Sequence, residues 1–315
     1  MNKLKIIMIA WIAISFIQAA FINEEPEDKA ALGKMLFFDP ILSIDNTISC
    51  ATCHKAEFAF ADTAAVSLGV NKKKGARNTP SAMNVALQSV FFWDGRAKNL
   101  EEQALMPIEN PDEMNLKIDE AISRLQQNDE YKKYFQKIFN SAPTKENLAA
   151  SIAAFERTLE TSNSPFDTWK FYDDSTAVDD AVKRGFTVFN TKGKCIQCHF
   201  GSNLTTNEFR NIGLFNGKDL NDSGRAAISH NMEDVGKFKV AALRNVAVTA
   251  PYMHNGMFRT LKEVIEFYDD PRKIVPGAIG IDSLLAKPLG LTQQDKDDLE
   301  AFLNALTDKK FLNGR

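Results

Sequence analysis

A mainly α-helical chain in two halves, with long irregular loops and little strand, is predicted by three observations. Apolar residues recur at helical spacing in several segments, no convincing run alternates as a half-buried strand would, and each half carries the pentapeptide Cys-x-x-Cys-His near its start. At 315 residues, 44% hydrophobic and 25% charged, the chain is long enough for two ordinary domains. A net charge of −3 gives no basic footprint, so nucleic acid is not an expected partner.

The elements follow in order. Lys3 and Lys5 precede the uncharged run "IIMIAWIAISFI", and polar sequence begins at Asn23. Residues 1–22 therefore read as an export segment, either a signal peptide or an N-terminal anchor. Cutting after Ala19 or Ala20 would leave Ile17 or Gln18 where a small residue is preferred, so both readings stand. No cysteine follows the run, which excludes a lipid anchor; the body is expected outside the cytoplasm, in the periplasm. "TKENLAASIAAFERTL" sets Leu148, Ile152, Phe155 and Leu159 on one face of a helix capped by Thr144. The Ser-, Asn- and Pro-containing stretch Thr161 to Phe171 breaks the pattern and divides the chain into 23–165 and 166–315. "AVDDAVKRGFTVFNT" leads helically into the second pentapeptide. A closing helix opens on Thr292 and lines up Leu299, Phe302, Leu303 and Leu306.

Four cysteines in an exported chain would ordinarily form two disulfides. Their spacing argues otherwise: Cys50/Cys53 and Cys195/Cys198 are each followed at once by a histidine, His54 and His199. That is the attachment pattern of c-type haem, in which two thiols add across the porphyrin vinyl groups and the histidine reaches the iron. A zinc site would want a fourth ligand that no further cysteine supplies, and a dithiol redox pair would be expected beside a βαβ pattern. Duplication of the pentapeptide points to two covalently bound haem c groups.

The motifs "RNTPSAMN", "FFWDGRAKNLEEQA", "NPDEM", "RGFTVFNTKGKCIQCH" and "FKVAALRNVAVTAPYMHNG", in that order, resemble the bacterial di-haem cytochrome c peroxidase family, which includes MauG-type enzymes. The resemblance implies that the haem on His54 is where hydrogen peroxide is split, and that the haem on His199 stores or relays an electron. It implies that Trp93 carries charge between them, and that Glu113 and Gln103 assist cleavage. Alone, Trp93 reads as a core aromatic and Glu113 as a helix N-terminal acid; Glu101 and Glu102 read as an ordinary charged face. The resemblance also implies a calcium ion held by Asn78, Thr249 and Pro251, the last two through backbone oxygens. It further implies an electron-donor protein such as a small c-type cytochrome, and it allows a homodimer.

Two departures bear on mechanism. Better-known members cap the first haem with a loop histidine; here "SLGVNKKKGARNTP" puts Val70 at that position, and none of the four histidines lies in the loop. Valine has no ligating atom, so the first iron is expected to keep an open face and to need no reductive activation. The methionine that peroxidases in the family place fourteen residues after the histidine of the "PYxHxG" motif is replaced by Tyr268, as in MauG-type enzymes. A phenolate would favour oxidised iron and lower the potential of the second haem. The rival ligands are Met253 and Met257. MauG itself passes charge through a tryptophan just before the second pentapeptide, where this chain has Gly193 and Lys194.

The expectation is a di-haem c-type peroxidase that reduces hydrogen peroxide with electrons from an external donor. The alternatives are a MauG-like oxidase of a protein side chain or organic substrate, and a non-catalytic electron-transfer cytochrome with both irons six-coordinate.

Overall fold

The computed structural model describes residues 25–312. The export segment, residues 1–22, lies outside the described residues. Among the described residues no helix is long and apolar enough to cross a membrane. Twelve α-helices can be named in order among them: α1 (Lys29–Phe38), α2 (Cys50–Cys53), α3 (Leu100–Glu109), α4 (Ile118–Gln127), α5 (Asp129–Phe139), α6 (Lys145–Arg157), α7 (Pro165–Phe171), α8 (Asp180–Asn190), α9 (Ala226–Ser229), α10 (Leu261–Asp269), α11 (Pro271–Ile274) and α12 (Gln293–Asn304). The only sheet among the described residues pairs β1 (Phe209–Arg210) with β2 (Phe238–Lys239), antiparallel, Phe209 opposite Lys239.

Local chemistry explains the helix starts. Thr144 accepts from Asn147 N at the head of α6, and Thr292 forms a capping box with Asp295 at the head of α12. The stretch expected to break the helical pattern does so only as far as Ser164. Ser164 and Asp167 form a capping box and Pro165 occupies the first turn, so α7 begins there.

The two halves are built on the same helix crossing. In the first, α1 crosses α6 at Gly33, where a Cβ would fall 1.8 Å from the carbonyl oxygen of Ser151. In the second, α8 crosses α12 at Gly185, where a Cβ would fall 1.8 Å from the carbonyl oxygen of Asp298. Each crossing brings a phenylalanine onto the glycine, Phe155 in one half and Phe302 in the other. One apolar core gathers residues from Leu32 to Leu159 and a second gathers residues from Phe166 to Leu306. The second is locked by Arg244, which pairs with Asp167 through two bonds of 2.8 Å, both side chains buried.

Polar ties join the halves. Arg77 binds Asp222 through two bonds of 2.7 and 2.8 Å and also reaches Asp94 at 2.5 Å. Thr161 bonds with Asn84 of the first half and Asn245 of the second. The backbone N–H of Lys239 donates to the carbonyl of Trp93 at 2.7 Å, carrying β2 against the segment that holds the tryptophan.

Candidate active site

The first pentapeptide is a helical turn, Cys50–Cys53, capped by His54, and the second a 3₁₀ turn, Cys195–Gln197, capped by Cys198 just before His199. His54 N–H returns to Cys50 O at 2.9 Å and His199 N–H to Cys195 O at 2.8 Å, so cysteine and histidine face the same side. Each ring is then fixed by a carbonyl: His54 Nδ1 lies 2.9 Å from Phe60 O, and His199 Nδ1 lies 3.1 Å from Leu204 O. A carbonyl only accepts, so Nδ1 carries the proton and Nε2 keeps its lone pair for a metal. Burial lowers both imidazole pKa values, to about 4 for His199, which keeps the rings neutral. All four thiols are free rather than paired.

Both pentapeptides open into one cavity of about 1020 Å³ that runs between the halves. That is at the upper end of the ~300–1,000 Å³ usual for a small-ligand pocket. Its lining includes Trp93, Gln103, Glu113, Tyr268, Asn78, Thr249 and Pro251 together with the six pentapeptide residues. Of the candidate site residues read from the sequence, only the rival ligand Met257 does not meet this space.

The residues present fit two haem groups. Two thiol pairs and two imidazole Nε2 atoms face an apolar cavity. Lys239, moreover, is a cation in its wall whose Nζ bonds only to neutral partners, Gln88 Oε1 and Val90 O. Desolvation lowers the Lys239 pKa to about 8, and a carboxylate of a bound porphyrin would supply the counter-charge that the protein does not.

On the His54 side, α3 supplies Gln103, and the turn that follows supplies Glu113. Burial raises the Glu113 pKa, opposed by the Asn110 Nδ2–H, which donates to its Oε1 at 2.7 Å, and by the charge of Arg96. Glu101 and Glu102 are used elsewhere. Glu101 pairs with Arg157 through bonds of 2.7 and 2.9 Å, and Glu102 accepts from Lys98 N. Of the loop 67–75, only Ser67, Gly69 and Gly75 line the cavity. Val70 is 1% exposed but packs away from it, and the side chain of Lys73 turns to Pro111 O at 3.0 Å.

In the cavity wall, the Trp93 indole N–H donates to Asn78 O at 2.9 Å. Trp93 meets His254 edge-on with centroids 6.5 Å apart, and His254 stacks on Phe238 at 3.7 Å and 13°. On the His199 side, Tyr268 projects from α10 into the cavity, its hydroxyl pKa raised by burial and by the adjacent cysteines. Met253 also lines the cavity, whereas Met257 does not and is 38% exposed. Sequence reasoning passed over His254, Lys239 and Glu156 as parts of the site. For Glu156 a signal existed: an acid one turn after Ile152, on the stripe that carries Leu148, Phe155 and Leu159 into the core.

The profile of the di-haem cytochrome c peroxidase family matches residues 27–176. The methylamine utilization protein MauG of Methylorubrum extorquens is 37% identical over 286 residues, covering 90% of this chain and 79% of that protein. The cytochrome c551 peroxidase of Pseudomonas aeruginosa is 38% identical over 292 residues, covering 90% and 80%. The crystal structure of a MauG-like protein associated with microbial copper homeostasis superposes with a TM-score of 0.83 at 31% identity, covering 92% of each chain. With two Cys-x-x-Cys-His sites facing one cavity and these likenesses along nearly its whole length, the chain belongs to the di-haem cytochrome c peroxidase family.

Proposed function

We propose that the protein is an exported, periplasmic peroxidase that reduces hydrogen peroxide to water, two electrons and two protons entering per peroxide, with a small c-type cytochrome as electron donor. The observation that carries this reading is the buried carboxyl of Glu113, held by Asn110 in the same cavity that His54 faces. The haem anchored at Cys50, Cys53 and His54, when bound, supplies the redox-active iron at which the O–O bond parts. Glu113 takes a proton from the inner peroxide oxygen and returns it to the leaving oxygen, the task of a group that is both base and acid. Gln103, on the adjoining helix, orients the peroxide through its amide. Trp93 lines the same cavity, its indole fixed by Asn78 O, and is the conduit for the electrons that arrive at the His199 side.

The oxygens assigned to calcium support a cation there. Asn78 Oδ1, Thr249 O and Pro251 O accept no hydrogen bond among the described residues, and all three residues border the cavity. Neutral oxygen donors of this kind suit a hard cation. No group of three or more histidines, cysteines or acids is placed to hold a metal among the described residues, so a cation here would rest on carbonyls and water.

One observation favours a second reading. Tyr268, rather than a methionine, faces the cavity on the His199 side, and a phenolate ligand would make that haem a poor acceptor from a cytochrome. The same site would then use peroxide to oxidise a protein side chain or an organic substrate. Gly193 and Lys194, in place of the tryptophan through which MauG passes charge, count against that protein's own task. Steady-state peroxide consumption with reduced cytochrome c decides between them. Turnover with cytochrome c supports the first reading; peroxide consumption that requires an organic reductant and ignores cytochrome c overturns it.

A further inference from the structure

Glu156 holds a buried carboxyl oxygen that nothing in the described chain satisfies. It stands in the last turn of α6, 7% exposed, and lines the cavity with Ile152 one turn before it. Its Oε2 is buried and has no hydrogen-bond partner. The neighbouring cation is spoken for: Arg157 turns outward and binds both carboxylate oxygens of Glu101. Facing it from α2 is Cys50, one of the two thiols that would hold the first haem.

An ionised carboxylate placed there would have no donor at its buried oxygen, and its nearest counter-charge, Arg157, is already bound to Glu101, a costly arrangement for a buried charge. Burial raises its pKa to about 8, so the carboxyl changes charge close above neutral pH. The other charged groups around it are few. Arg157 and Glu101 neutralise each other toward solvent, Cys50 carries no charge once it is a thioether, and Glu113 with Arg96 lies farther along the cavity. The helix packed most closely on α6, α1, presents Gly33 and Phe37 there. The charge that changes in this space is the one on the haem beside Cys50, and an acid at that edge responds to it.

We propose that Glu156 is a redox-linked proton site of the first haem, taking up one proton as that haem gains an electron and releasing it as the electron leaves. The balance is one electron from the external donor to the haem and one proton from solvent to the carboxylate, with no bond to the haem made or broken. Where Glu156 is ionised before reduction, the net charge inside the cavity then stays constant as the electron enters.

The test is a potentiometric titration of the holoprotein followed by haem absorbance between about pH 6 and 9. Reduction adds negative charge and raises the affinity of Glu156 for a proton, so the midpoint of the first haem falls as pH rises. The limit is a tenfold weaker reduction per pH unit, about 59 mV for one electron. Glu156→Gln, which keeps the shape and stays neutral, removes that slope; an equal slope in both proteins overturns the proposal. A second readout is the redox-difference infrared spectrum in a Glu113→Gln background, where a protonated-carboxyl band grows on reduction. If Glu156→Gln fails to take up haem, Glu156→Asp must shift that band, and an absent or unshifted band overturns the proposal. The inference rests on the haem assignment rather than on the substrate. A pH-independent midpoint with intact peroxide turnover would remove it alone.

Discussion

The backbone N–H of Val70 donates to the carbonyl of Glu113 at 2.8 Å. The loop that carries Val70 is thereby pinned to the turn that holds the candidate acid–base group. Gly69 lies so close to that turn that a Cβ would sit 2.3 Å from Asp112 O and 2.6 Å from Glu113 Cα. Lys73 closes the contact at Pro111 O. Gly69 has an ordinary extended backbone, φ −86 and ψ −162, so Gly69→Ala tests space and not conformation. The added methyl displaces Glu113, and a shift of about 1 Å in a catalytic group costs about 10²-fold. Stopped-flow mixing of the diferric protein with peroxide should show that loss at unchanged haem content.

The same loop geometry predicts the resting state. Val70 is buried away from the cavity and the lysines of the loop do not line it, so none of these side chains caps the first iron. The diferric protein should react with peroxide without prior reduction, and its EPR spectrum should show one high-spin ferric iron. Two low-spin signals would overturn the open site.

Glu113 must be ionised to accept the first proton. Its carboxyl is raised by burial, so the peroxide rate should climb with pH through a midpoint above the usual carboxylate value, and then level off. Asn110→Ala removes the donor at 2.7 Å that favours the charged form, which moves the midpoint to still higher pH. Glu113→Gln should lose ~10²–10⁴-fold and flatten the profile.

Much of this architecture is legible in the sequence because it rests on local signals. Thr144 and Thr292 mark helix starts by side-chain capping, and the two pentapeptides carry their chemistry in five consecutive residues. Tyr268, at its fixed spacing from His254, does reach the cavity. Less legible are features that need the chain brought together. Ser164 looks like part of a break until its capping box with Asp167 is seen to start α7. Val70 aligns with a ligand position, yet burial turns it from the cavity. Lys239 looks like an ordinary surface charge and Glu156 shows only its place on a core-facing stripe; tertiary packing is what leaves one without an acid and the other with a donorless oxygen.

Calcium should bind once per chain. After treatment with a chelator, calorimetric titration with Ca²⁺ should show a single site in the wild type and none in Asn78→Ala. The Asn78 backbone carbonyl holds the Trp93 indole, so calcium removal should also change tryptophan fluorescence. Unchanged fluorescence together with no heat of binding would remove the cation from this site.

The matched glycines predict matched failures. Gly33→Ala drives a methyl into Ser151 O and Gly185→Ala drives one into Asp298 O. Overpacking of this kind costs ~1–3 kcal/mol or more. Each variant should lower the thermal midpoint, and each should loosen the haem of its own half first. Gly33→Ala should perturb the high-spin signal, and Gly185→Ala the spectrum of the second haem.

Tyr268→Met tests the ligand on the second haem. The hydroxyl stands in the cavity near Cys195 and Cys198, and burial alone keeps it protonated, so only a metal would draw off the proton. A thioether at that position stabilises reduced iron, whereas a phenolate stabilises oxidised iron. The substitution should therefore raise the potential of the second haem, within the ~0.8 V that axial ligands span, and change its absorption spectrum. It should also speed reduction by a small c-type cytochrome. Met253 borders the same space, so an unchanged spectrum in Tyr268→Met, with a change in Met253→Leu, would move the ligand to Met253 and favour the peroxidase reading over the oxidase one.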